Sequence, residues 1–522
     1  MLDTGGWLFR ELDKISSHLI NRIINNRYLN QKKMLSTLIE KELKSIILGP
    51  KFLTTLVVCS ILILLSVFIG IQEYRAAVKS YEAGMQLVDQ EIQEATSWMG
   101  MRNRIFRKPD PMQIFVSGVN NDIGRFSNIR STEPIKLTNS IYSDDPIFAA
   151  FRFIDLSFIV QVVLSLFAIL FTYDAINGER EQGTLGLTFS NAISRFQYIL
   201  IKFLGSWLGL VVPILIPILI SILLIIAFGI PFTGNHWIRL IFFLGISVLY
   251  FTFFVVLGVL ISALTKRSTV SFLLLLVIWV TFVLILPRVG VMAAGKIVPV
   301  PSIAEIDGQI EGFSKSRWDE YMKEIEKKFE QRNKMMEGMT EEEREAYRDK
   351  HMWDWMQEND ALRKKLQADI NKFSRMLHKD LRNRKTAQER LGFTLSRFSP
   401  ASAFQLSAMN LVGTDIDLKS RYETALEEYQ KTFVDYVEKK QEETGGGMGG
   451  IRISVSSENG AKYSFGPDKG SLETSDMPRF QETKQSLSSV IKSTILDILI
   501  LFFYSTTAVV GAFVAFLRYD LR

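Results

Sequence analysis

One cysteine, Cys59, occurs in 522 residues, and it lies inside an apolar run. An intrachain disulfide is therefore excluded. No two of the four histidines, His18, His236, His351 and His378, are spaced as a metal site requires. No G-x-x-x-x-G-K-[ST] occurs, so the chain carries no phosphate-cradling loop of the P-loop kind. The glycine run at 445–450, GGGMGG, lacks the lysine and reads as a flexible link. No nucleophile–base constellation stands out, so no catalytic residue and no metal ligand is assigned. No basic block is interleaved with aromatics, which excludes a nucleic-acid partner. No cleavable leader is expected, because residues 1–51 are polar and basic.

What is present is segregation. The chain is 48% hydrophobic, and a mean hydropathy of +0.15 averages strongly apolar blocks with highly charged ones. Soluble domains do not separate so sharply. The blocks predict a mainly α-helical integral membrane protein with six transmembrane helices: 52–71, 154–173, 203–230, 238–264, 270–286 and 494–516. Each is close to the ~20 residues that cross a ~30 Å hydrocarbon core. Pro213 and Pro217 fall inside the third, where neighbouring groups can satisfy the freed carbonyls. Residues 1–51 are rich in Lys and Arg, and Leu35, Leu38, Ile39, Leu43, Ile46 and Ile47 recur at helical spacing. That reads as an amphipathic interfacial helix on the cytoplasmic side; a soluble helix packed on a partner is the alternative.

The polar blocks between spans predict two extracytoplasmic inserts. The smaller, 72–153, opens with a helix from Glu73 to about Arg107 and includes a strand-like Gln113–Val116. The larger, 287–493, is expected to be mostly helical with minor β-structure. Ser314 to Arg390 has helical charge spacing, Thr340 and Glu343 form a capping box, helix follows from Lys419 to Glu443, and Ile451–Val455 alternates like a strand. Residues 517–522 form a cytoplasmic tail. Arg267 and the loop after the second span then share the inner side, as the positive-inside rule asks.

That loop, 174–202, is too elaborate for a plain connector. It carries Asp174, Glu179, Arg180 and Glu181, then Gly183-Thr184, then a short apolar piece, Leu185–Phe189, and then Ser194 followed by Gln197. Serine with glutamine three residues on is a helix start in which each side chain satisfies an orphan backbone N–H. The stretch predicts a span, a charged end, a short helix lying across, and a new span. The acids beside Arg180 are expected to form exposed ion pairs that contribute little to stability.

In order, Gly178, Glu179, Arg180, Glu181, Gly183, Thr184, Leu185, Arg195 and Lys202 resemble the loop between the second and third spans of type-two ABC transporter permeases. A proline common before the Ser-Arg pair is Ala192 here. Ser399–Ser402, Gly413–Asp415 and Tyr422 resemble, more weakly, the large insert of the subgroup containing gliding-motility and nitrous-oxide-reductase maturation permeases. The resemblance implies a permease subunit in the bacterial cytoplasmic (inner) membrane. It implies two copies of a separate ABC ATPase, which would hold the ATP and Mg that this chain does not bind. It also implies a homodimer, or a heterodimer with a second permease. Gly178 to Leu185 would couple to the ATPase, and the stroke would drive export or mechanical work on an extracytoplasmic protein partner. The alternative is a membrane scaffold or signal-transmitting protein without transport.

Three lesser features complete the reading. Asp497, a turn inside the last span, is a candidate pathway residue or intersubunit hydrogen-bonding group; the plainer reading is an interfacial acid near Lys492. Arg152 and Asp155 have the spacing of a local ion pair. Met335, Met336, Met339, His351, Met352 and Met356 could offer soft ligands to copper(I), but with Trp353 and Trp355 beside them they read as helical core.

Overall fold

A computed structural model describes residues 36–95, 98, 101–129, 137–138, 154–190, 193–443, 451–456, 460–465, 472–482 and 485–518. Residues 1–35, Arg152 and the 445–450 glycine run lie outside the described residues. The chain forms two compact units, one of Arg288–Ser396 and the other of Met1–Pro287 with Arg397–Arg522.

Six helices are long and apolar enough to cross a membrane: Pro50–Gln93, Leu156–Glu181, Arg195–Ala227, Gly234–Leu264, Ser268–Ile297 and Leu487–Leu517. The fourth is central. It packs on the second, third and last helices and buries side chains around its whole circumference, among them Phe243, Tyr250, Phe254 and Ile261. Gly258 makes this packing possible, because a Cβ there would lie 1.7 Å from Thr172 Oγ1. The membrane helices are not uniform. Pro213 and Pro217 lie inside the third, which stays helical through both, and π turns occur at Ile159–Leu164 and Val280–Ile285. A π turn disturbs the regular carbonyl ladder, and other helices use the carbonyls. The Tyr250 hydroxyl donates to Gln161 O at 2.9 Å, and the Ser399 hydroxyl donates to Phe282 O.

Ser399 also caps the helix Pro400–Val412, accepting from the N–H groups of Ala401 and Ser402. This helix ends at Gly413, whose φ of 82° is left-handed. Its small residues bury all round against the fourth and last membrane helices. Phe404 stacks on Tyr250 with centroids 4.7 Å apart, and Tyr504 donates to Phe398 O at 2.7 Å. Tyr250 and Tyr504 lie near the middles of 31-residue helices, so the 397–412 segment packs at the mid-height of two membrane helices. The insert expected as one outer domain over 287–493 is thus divided, because Pro400–Val412 is too apolar on every side to stand in water.

The first helix runs 44 residues, well past its apolar part, and stops at Gln93 rather than near Arg107. Asn103–Phe106 is instead a strand, paired antiparallel with Phe126–Ile129, which pairs in turn with Leu137–Thr138. The sheet rests on the far end of the first helix, where Gly84 accommodates the Phe106 ring. Gln113–Val116 is not a strand. Pro111–Ile114 is a 3-10 turn in which Asp110 accepts from the Met112 N–H, and Met112, Ile114, Phe115 and Val116 are all buried. A capped proline turn satisfies the backbone without a sheet partner. Tyr422, Leu426, Tyr429 and Phe433, on helix Asp417–Glu443, form a second core with Ile105 and Ile129. Ile451–Ser456 forms the expected strand and pairs antiparallel with Gly460–Phe465.

The second unit is an antiparallel helical hairpin of Ile303–Met335 and Glu341–Ser396. Gly338, with φ 90°, turns it. The Thr340–Glu343 capping box forms, with the Thr340 N–H 2.9 Å from Glu343 and the Glu343 N–H 3.4 Å from Thr340 Oγ1. Phe313 stacks on Phe373 in the seam at 4.1 Å. The methionine group is not core. Met335, Met352, Trp353 and Met356 are exposed and only Met336 is buried, because a two-helix hairpin has one seam and no second layer.

Candidate functional site: the loop between the second and third membrane helices

The loop begins as a five-residue helix, Asn177–Glu181. Gly183 ends it with φ 73°. The Gly183 N–H reaches Arg180 O at 3.0 Å and the Thr184 N–H reaches Glu179 O at 2.9 Å, a paired closure that needs a left-handed residue after the helix. The Gly-Thr of the motif is therefore a helix stop. A second five-residue helix, Leu185–Phe189, follows at once. Leu185 faces in and is buried, whereas Leu187 is 70% exposed. The third membrane helix then starts at Arg195 with the expected Ser194–Gln197 capping box.

Helices this short are unstable alone. Here the loop is clamped from four sides. First, Asn177 is fully buried against the turn between the fourth and fifth membrane helices. Its amide N donates to Thr265 Oγ1 at 3.0 Å, its amide O accepts from Ser262 and Ser268, and the backbone N–H groups of Ile176 and Asn177 donate to Ser262 Oγ. Second, Glu181 caps the fifth membrane helix from outside, accepting from the N–H and the hydroxyl of Ser268, each at 2.8 Å. Third, the Lys202 ammonium, 4% exposed, lies 2.9 Å from Glu179 and 2.6 Å from Glu42. Tyr198 adds a hydroxyl donated to Glu179 at 2.6 Å. Fourth, Tyr198 stacks on Phe516 at 5.2 Å, and Phe189 lies against both rings. Arg195 donates to the Phe516 and Leu517 carbonyls at the end of the last helix, where a cation suits the dipole.

Glu42 belongs to a helix over residues 36–47 that precedes the first membrane helix. Its backbone lies close to the third membrane helix because Gly205 and Gly209 leave room for Glu42, Leu43 and Ile46. The expectation of exposed ion pairs beside Arg180 therefore needs correcting. Glu179 points inward to a buried lysine, and only Glu181 is at the surface. Arg180 and Gly178 are half-buried, and Gly183 and Gly186 are open.

The loop motif supplies Glu179, Gly183, Thr184, Leu185, Arg195 and Lys202 to this arrangement. Glu42 and Ser262 gave no sequence signal, since each finds its partner across a separation of 85 residues or more. Tyr198 and Leu187 are ordinary residues in sequence, distinguished only by their positions on the folded loop. Asp497 stands apart. It is 0% exposed and accepts from Arg397 Nε at 2.6 Å, an ion pair within one chain at the foot of the 397–412 segment. Lys492 is not its partner. Asp155 caps the second membrane helix at Phe158 and holds the Ser117 N–H at 2.9 Å.

No individual curated protein matches the chain. The family model of ABC-2 family transporter proteins matches residues 36–521, which takes in all six membrane helices, the clamped loop and the hairpin unit. With that match over nearly the whole chain, the protein belongs to the ABC-2 transporter family: it is a multi-pass membrane permease subunit of an ABC transporter, a kind of subunit that is generally non-catalytic and implies an ATPase partner.

Proposed function

We propose that this permease takes the stroke of a separate ATPase through Leu185–Phe189 and spends it on export or on mechanical work against an extracytoplasmic protein. The reading rests on one observation: a short helix, set in a loop that is clamped on four sides, presents an apolar side chain, Leu187, outward. A clamped helix moves only if its neighbours move with it. Gly178, Glu179, Arg180, Glu181, Gly183, Thr184 and Leu185 serve this coupling indirectly, as the residues that shape and fix the helix. The 36–47 helix, tied in through Glu42 and Lys202, shares the load.

In this reading two ATPase copies, carrying the ATP and Mg, lie on the cytoplasmic side of a bacterial inner membrane with the loop. The 72–153 region and the hairpin lie outside. Two permeases, identical or related, make the pathway.

The test is Leu187→Asp. Because Leu187 contributes nothing to the core, the variant should insert and fold like the parent. It should lose copurification of the ATPase, or lose coupling between transport and ATP turnover. A variant indistinguishable from the parent in both would leave the loop a plain connector and favour a scaffold without transport.

A further inference from the structure

A cavity of about 50 Å³ opens between the first four membrane helices. Leu156, Val160 and Leu164 of the second helix line one wall, with Ile63 of the first beside them. Val211, Ile214 and Ile218 of the third helix and Phe243 to Phe251 of the fourth line the other. Ser247 is the one polar lining residue, and its hydroxyl is already donated to Phe243 O at 2.8 Å. Nothing in the wall can recognise a charge or a hydrogen-bonding group.

The π turn Ile159–Leu164 lies along one wall of the cavity, and Pro213 and Pro217 lie on the helix that forms the other.

Its depth can be worked from the helices. The fourth helix has 31 residues, and at 1.5 Å each it is about 46 Å long. Phe243 to Phe251 then lie about 14–26 Å from its Gly234 end. Measured back from Ala227, Val211 to Ile218 give about the same depth. A ~30 Å hydrocarbon core centred on such a helix spans this whole interval, so the cavity is inside the acyl region. Its mouth passes Leu215, and the third-helix surface beside it shows Val212, Ile216 and Leu219, all exposed and apolar. In a bilayer, that surface meets lipid.

We propose that this cavity is a binding site for part of one acyl chain of a membrane phospholipid whose polar head stays at the interface. The inference depends on membrane embedding alone and not on the coupling role of the loop. The occupant is apolar because the wall is, and it enters sideways because the mouth faces the lipid. A chain seated there bridges the second and third helices, the two that the clamped loop joins.

The experiment uses the full-length chain in phosphatidylcholine–phosphatidylglycerol vesicles containing a trace of phospholipid with a diazirine in its acyl chain. After irradiation, labelling is mapped by mass spectrometry. Label on Val160, Leu164 and Ile214 should exceed label on the lipid-facing Ile216 and Leu219 by about tenfold, the ratio given by 1.4 kcal/mol of preferential retention. Val160→Trp or Val248→Trp should fill the space and abolish the excess while leaving label at Ile216 unchanged. Two different fillers guard against the misfolding of one. Equal labelling of cavity and lipid face would mean passing lipid only and would overturn the proposal. So would disulfide formation between two copies carrying Leu215→Cys and Cys59→Ala, since the mouth would then be covered by a second copy of the chain.

Discussion

The Glu179–Lys202–Glu42 cluster makes a sharp prediction, because the two acids beside Arg180 should differ greatly in what they hold. Glu179→Ala removes two bonds involving a charged group, from Lys202 at 2.9 Å and from Tyr198 at 2.6 Å. Each such bond contributes about 1.5–3 kcal/mol. Glu42 remains at 2.6 Å, so the ammonium keeps one partner, and the loss should be about 3 kcal/mol, the low end for breaking a buried pair. Lys202→Met is worse. It leaves two carboxylates facing each other without their cation, in a site where the lysine was 4% exposed, and should cost about 4–5 kcal/mol. Glu181→Ala removes an exposed cap on Ser268 and should do least. The molecule carries its own reporter: Cys59 is the one thiol and is 1% exposed, so a thiol-reactive dye fluoresces only as the membrane bundle opens. The expected order of unfolding midpoints is parent, Glu181→Ala, Glu179→Ala, Lys202→Met, from high to low. If Glu179→Ala melted with Glu181→Ala, the cluster would be an ornament of the fold and not a clamp.

Other expectations follow from the same geometry. A fragment of residues 288–396 should be soluble, monomeric and helical by circular dichroism, whereas extension to residue 483 brings in Pro400–Val412 without its covering helices and should aggregate on size-exclusion chromatography. In the short fragment, the Lys328 and Arg332 hydrogen bonds hold the Glu358 carboxyl below its ordinary value of 4.5. A depressed folded value stabilises above 4.5 and is lost as pH falls through it, so acid unfolding should begin later in a Glu358→Gln variant, measured relative to its own stability at neutral pH. Gly258→Ala should sharply lower the yield of folded protein, since its Cβ would meet Thr172 Oγ1 at 1.7 Å, and Thr172→Gly should restore part of it. A reporter active only in the cytoplasm should work when fused after Lys266 and stay silent when fused after Gly450.

The sequence made some levels of this structure plain and hid others. Six apolar runs, two capping boxes and the ordered loop motif are local signals, and each depends on residues a few positions apart. The helix start at Ser194 was legible because Ser194 and Gln197 cap each other's backbone there, although the third span itself was drawn only from 203. Glu42 was not legible, since nothing near it names Lys202 as its partner 160 residues away. Pro400–Val412 escaped for a different reason. Thirteen residues are too few to read as a span, and alanine and serine among them dilute the hydropathy that marks longer runs. Gln113–Val116 misled because a short apolar run of β-branched and aromatic residues does not distinguish a strand from a buried turn; Asp110-Pro111 just before it was the stronger signal. The motif showed where the loop was, but not that Glu179 faces inward, because a carboxylate looks the same in sequence whether it meets water or a lysine.

The first membrane helix has a mechanical consequence. Its 44 residues form one uninterrupted helix, about 66 Å from end to end. It lies against the third membrane helix, meeting Phe228 at that helix's end through Phe68 and Arg75. At Gly70 it touches the Ile114 backbone, and at Gly84 the Phe106 ring of the small sheet. A rod of that length is a lever. Tilting it by about 5° about its foot carries its far end through about 6 Å, given a rise of 1.5 Å per residue. Movement at one end of the rod would thus reach the other as displacement of a folded domain, with no relay of side chains between.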